Sequence, residues 1–183
     1  MSSPEGRSLL GSEFPDDTGD DDPRLRAALT AYDAAPDAQQ RRALLPACLE
    51  ALLGARLLVP VVAVLGEAEV GEDGLTRDKS SDMAAVLLTG RDGRNALLSF
   101  THTAAMQAWD PQARPVPVRA QLAAQAAIQE GAAALLVDVA GPTRLVVEGV
   151  DLEGLARGWR LARVGGQVGW VKDADWSEPG TSA

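Results

Sequence analysis

An α+β fold, with a mixed, largely antiparallel sheet flanked by helices, is what this sequence predicts, and three patterns predict it. Two pairs of short apolar runs are separated by turn residues, Gly90-Arg91-Asp92-Gly93 in the first and Ala140-Gly141-Pro142 in the second. Glycines supply the positive φ that tight turns need, so each pair predicts adjacent antiparallel strands. Leucines at one, three and four residue steps over 44–53, and alanines through 119–130, predict helices before and between the hairpins. The resulting order lacks the repeated strand-to-helix crossovers of a doubly wound nucleotide fold.

Taken in order, residues 1–23 are a Ser, Gly, Pro and Asp mixture with too few apolar groups to offset the entropy of ordering them, which predicts a disordered acidic tail. Leu25, Leu29 and Tyr32 at helical spacing predict a helix over 24–34. Pro36 breaks it and Asp37 is an N-cap for the next. In that second helix Leu44, Leu45, Cys48, Leu49, Leu52 and Leu53 form one stripe, with Pro46 predicting a kink or a start and Gly54 the end. Residues 56–65 are apolar and β-branched, a buried strand in which Pro60 marks an edge position or a bulge. The polar connection 66–82 is longer than most structureless loops, which makes it a place to look for function.

The hairpin of 83–89 and 95–100 follows, then a short helix capped by Thr101 or Thr103 and ended by Asp110-Pro111. The alternating prolines of 114–118 suit an edge strand, and the Ala-rich helix 119–130 closes at Gly131. The second hairpin, 133–139 with 143–148, leads into a last helix over 151–157. Residues 159–183, with Trp159, Trp170 and Trp176 among glycines and acids, are expected to be partly disordered. One domain over 24–158 is therefore expected, between two tails.

Formal charge is −9, but the first 23 residues and the last 12 carry −6 and −2 of it, leaving about −1 for the body. No basic stripe stands out to neutralise phosphates, so nucleic acid is not an expected partner. The longest apolar run is half of what a hydrocarbon layer requires, so no membrane association is expected. The single Cys48 and the lack of a basic, apolar start point to a cytoplasmic chain.

Catalysis by a Ser/His/Asp or Cys/His pair needs a base, and His102 is the one histidine, placed where a strand meets a helix and expected to hydrogen-bond locally. One Cys and one His do not make a zinc site, and the acids of 67–82 lack the spacing of a calcium loop. Gly74 to Ser80 fails as a phosphate loop because Asp78 stands where a glycine must precede the lysine. No catalytic residue, metal or cofactor is therefore assigned. Lys79, Asp82, Trp109 and Arg114, with the edge Pro115-Val116-Pro117, are the candidate binding residues, since Trp and Arg are enriched at hot spots and an edge strand can template a partner.

Several segments together carry a resemblance. Asp78-Lys79-Ser80-Ser81-Asp82-Met83, Asp92-Gly93-Arg94 with the following 96–101, Ala108-Trp109-Asp110-Pro111, the run 113–118, and Gly131-Ala132 through Asp138 to Pro142 resemble the SseB-like family, over roughly 25–157. The family takes its name from an enhanced-serine-sensitivity phenotype and shares it with an unrelated type III secretion component, so secretion is not implied. The resemblance implies a bacterial cytoplasmic α+β domain without an established activity, and supplies no catalytic residues.

Three functional readings follow. The first is a non-enzymatic regulatory or protein-interaction module that contacts an unidentified protein through 79–82 and 109–118. The second is a sensor of a small molecule, such as an amino acid or related metabolite, with Lys79 and Arg114 pairing a carboxylate. The third is a hydrolase or transferase using Asp82 and Lys79.

Overall fold

A computed structural model describes residues 14–64 and 82–172. The α+β class is as predicted: among the described residues, two helices, then a run of strands and helices that builds two larger sheets joined at one corner, and a separate two-stranded sheet at the end. Helix α1 (Pro23–Asp33) opens one residue earlier than the sequence suggests, because Pro23 sits at its start and Asp22 caps it, accepting from Arg24 N–H at 2.7 Å and Leu25 N–H at 3.0 Å. Helix α2 (Ala38–Leu53) is capped by Asp37, which accepts from Gln40 N–H at 2.8 Å, and runs through Pro46 without a break. Its second half carries the buried Cys48, Leu49 and Leu52, which pack with Leu25 and Leu29 of α1. That burial is what holds the helix across its proline.

Strand β1 (Arg56–Val64) lies at the centre of the first sheet, between β2 (Asp82–Ala85) and β5 (Arg114–Arg119), both antiparallel to it. Pro60 is thus neither on an edge nor in a bulge, as its ring had suggested. Its carbonyl accepts from Val86 N–H at 3.2 Å, but it has no N–H to return. The Val86 carbonyl instead accepts from Leu98 N–H at 3.0 Å. Val86 is the break between β2 and β3 (Leu87–Thr89), and β3 pairs with β4 (Asn95–Ser99). One missing donor therefore sits where a strand changes sheets.

The second sheet has the order β3-β4-β6-β7, with β6 (Ala134–Val137) parallel to β4 and β7 (Leu145–Glu148) antiparallel to β6. Leu58 and Phe100 exchange two 2.8 Å backbone bonds and join the sheets. Between β4 and β6 the chain passes through α3 (Thr103–Trp109), β5 and α4 (Ala120–Gln129), and after β7 comes α5 (Val150–Ala156). Helices α1, α2, α4 and α5 cover one face around Leu97, Leu135, Val137 and Leu145. Helix α3 covers part of the other face, with Met106 and Trp109 packed on Leu98, Phe100 and Leu136.

Two segments that composition assigned to the tails, 14–22 and 160–171, are described and make specific contacts with the domain, while 1–13 and 173–183 lie outside the described residues. Arg56 forms an ion pair with Asp17 and donates to the Asp20 carbonyl at 2.5 Å and the Thr101 carbonyl at 2.9 Å, while Thr103 N–H donates to the Gly19 carbonyl at 2.9 Å. Residues 14–22 are thereby fastened to the domain, and the start of α3 is satisfied by backbone, not by the expected threonine cap; His102 is its N-cap residue. Arg56→Ala should cost about 2 kcal/mol, the scale of a charge-assisted bond that is only partly exposed, and should open a protease site within 14–22. An unchanged digestion pattern would show that Arg56 does not hold this segment.

At the other end β8 (Arg160–Val164) and β9 (Gln167–Val171) form a hairpin instead of a loose extension. Its turn, Gly165-Gly166, has φ of 57° and 83°, the double positive φ that favours two-residue hairpins. Trp170 donates from Nε1 to Asp151 of α5 at 2.7 Å and seats the hairpin on the core.

Candidate functional site

The parallel pairing of β4 and β6 brings their carboxyl ends side by side, the end of such strands at which open sheets expose ligand clefts. Asp138 follows β6 with φ 53°, a left-handed conformation that Asp tolerates better than most residues. Its N–H donates to the Ser99 carbonyl at 3.0 Å, which fixes the backbone and turns the side chain toward Thr101. There its carboxylate accepts from Thr101 N–H at 2.9 Å and from Thr101 Oγ1 at 2.7 Å. Thr101 Oγ1 also lies 2.8 Å from His102 Nδ1. A hydroxyl has one proton, and an ionised Asp138 only accepts, so the proton goes to Asp138 and Nδ1–H donates to Thr101. Burial pushes the Asp138 carboxyl above its ordinary range, opposed by the two bonds from Thr101.

This chain of three groups forms one wall of a cleft of about 520 Å³. Helix α1 supplies Arg26, Leu29 and Thr30, α3 supplies Ala104 and Ala108, and the β6–β7 turn supplies Gly141 and Pro142. Arg26 reaches Asp21 at 3.3 Å and is 59% exposed. The cleft therefore combines a cation, two carboxylates and an imidazole with an apolar floor. Thr101 is poorly set as a nucleophile, since its proton is held by a carboxylate and it is 4% exposed. Cys48 is no better, because burial pushes its thiol to about 11.

Of the residues singled out from the sequence, Trp109 and Arg114 do not line this cleft. Lys79 lies outside the described residues, as does the rest of the connection 66–81. Asp82 opens β2 opposite Val64, and Arg114 opens β5 opposite Val61, which puts their backbones roughly 14 Å apart across β1 at ordinary strand spacing. Trp109 is a packing residue: its ring lies 5.6 Å from that of Phe100 at an interplanar angle of 30°. Strand β5 is an edge as predicted, but Leu58 spends both backbone groups on Phe100, so Pro117 opposite it, and by the same alternation Pro115, face the open side. At both positions that side has no N–H to offer, which disfavours strand addition.

The family model for the SseB protein N-terminal domain matches residues 25–153. The chain belongs to the SseB family. Within this SseB domain the matched range takes in Arg26, Thr101, His102 and Asp138, while Asp21 and the β8–β9 hairpin lie outside it. No curated protein and no solved structure matches the chain. Among the described residues no group of three or more His, Cys, Asp or Glu is placed to hold a metal ion, and no helix is long and apolar enough to cross a membrane.

The cleft escaped the sequence because its parts are 37 residues apart and meet only through the β4–β6 pairing. The available signals were a lone His just after one apolar strand and a lone Asp just after another.

Proposed function

We propose that this SseB-family chain is a non-enzymatic regulatory module, and that it responds to a small polar molecule bound in the cleft at the carboxyl ends of β4 and β6. The observation that carries this reading is the Asp138–Thr101–His102 chain beside an exposed Arg26. Held acceptors and a cation that can exchange Asp21 for a ligand anion provide orientation without an activated nucleophile. Thermal-shift screening of the full chain against amino acids and related metabolites tests it. A ligand at a hundred times its Kd adds about 2.7 kcal/mol of stability, and Arg26→Ala should abolish most of that gain. A panel without a stabilising compound, a shift that survives Arg26→Ala, or turnover of the bound compound would each overturn the reading.

Arg114 favours a second mode, contact with a protein partner through side chains. It is exposed at the end of the proline-blunted edge, and its side chain has no ion pair with a described residue. Pull-down with wild type and Arg114→Ala should differ by the partner; identical captures would remove this surface.

A further inference from the structure

We propose that Arg41 and Arg144 form an anion site that takes a phosphoryl group. Both residues line a second cleft of about 520 Å³, which shares Gly141 and Pro142 with the first, together with Tyr32 and Asp33. Arg41 is in the first turn of α2, Tyr32 and Asp33 end α1, and Arg144 immediately precedes β7. The short α1–α2 connection thus sets one guanidinium against the β6–β7 turn that carries the other.

What distinguishes this pair is that two arginines without a described carboxylate partner line one and the same cleft. Arg26, Arg56 and Arg94 each have a carboxylate partner, whereas neither Arg41 nor Arg144 has an ion pair with a described residue. Two like charges directed into one polar cleft are stabilised by a shared anion. A carboxylate is satisfied by a single guanidinium fork, while a phosphate monoester has three terminal oxygens and close to two charges, and so matches two forks and the Tyr32 hydroxyl. Asp33 reduces the net positive charge and offers an acceptor to an amino or hydroxyl group next to the phosphate. Only Gly141 and Pro142 belong to both clefts, so this site stands or falls apart from the first.

The test is an NMR titration of the ¹⁵N-labelled full chain with inorganic phosphate and, at equal ionic strength, acetate. Saturable shifts of amides near 32–42 and 139–145 with phosphate alone are expected. Arg41→Ala or Arg144→Ala should weaken them about tenfold, one lost charge-assisted contact, and the double variant should lose them; Arg163→Ala, on β8, should not. No saturable shift, an equal response to acetate, or a response that survives in the folded double variant overturns the proposal. O-phosphoserine and a phosphoserine peptide then separate the sources by their relative affinity: tighter saturation by O-phosphoserine marks a free phosphorylated metabolite, and tighter saturation by the peptide a phosphorylated protein.

Discussion

Gly154→Ala is expected to lower stability by about 2 kcal/mol, although alanine is favoured over glycine inside a helix by about 1 kcal/mol. Gly154 lies within α5, and a Cβ there would come within 2.6 Å of Trp170 Cε2 and 2.7 Å of Cε3, atoms of a ring that has no flexible end to yield. Overpacking of this kind costs about 1–3 kcal/mol. Relief by moving the ring would break the bond from Nε1 to Asp151, worth about 1 kcal/mol more. Urea unfolding measures the loss, and a red shift of tryptophan emission reports the hairpin leaving α5. Trp170→Val in the Gly154→Ala background should recover most of the clash, as a contact-specific coupling requires. A Gly154→Ala protein more stable than wild type would mean that helix propensity governs this position and that the hairpin is not seated on Gly154.

Asp138→Ala should be costlier still, by about 4 kcal/mol, because it leaves the buried N–H and hydroxyl of Thr101 without their acceptor and puts alanine in a left-handed conformation. Asp138→Asn keeps one carbonyl acceptor and tolerates that backbone, so a loss of about 1–2 kcal/mol is expected and the variant remains folded enough to study. The pair differs in pH dependence as well. Burial raises the carboxyl above the ordinary aspartate value of 3.8, so between that value and the folded one the native state binds more protons than the unfolded chain. Its stabilising contribution is complete below this window and is lost as pH rises through it. The stability difference between wild type and Asp138→Asn should therefore widen as pH falls from 7 toward 4. A difference that narrows on acidification would show that the hydrogen bonds to the ionised form outweigh burial.

Local periodicity made most of the fold legible. The leucine stripe of α2, the caps Asp37 and Gly54, the Gly90–Gly93 turn and the Ala-rich α4 are short-range signals, and each element lies within a few residues of its expected place. The hairpin β8–β9 was equally local in principle, since Gly165-Gly166 is a strong two-residue turn, but glycine-rich and acidic surroundings pointed toward disorder. Segment 14–22 was different in kind. Its acids look unsupported until Arg56, placed far along the chain, supplies the charge and the donors.

The candidate residues divide in the same manner. Trp109 and Arg114 were selected by residue type alone, and type does not distinguish a ring stacked on Phe100 from one offered to a partner. What the sequence determined by itself was the class of fold, the order of its elements as far as α5 apart from the break at Val86, and the SseB family match, because capping, turn chemistry and apolar spacing all act over a few residues. The tertiary structure alone decided that Pro60 sits in a central strand, that two prolines face outward from β5, and that Thr101 and Asp138 share a cleft wall. Each depends on which strand lies beside which, and strand pairing is set by burial across the whole core, not by any local run of residues.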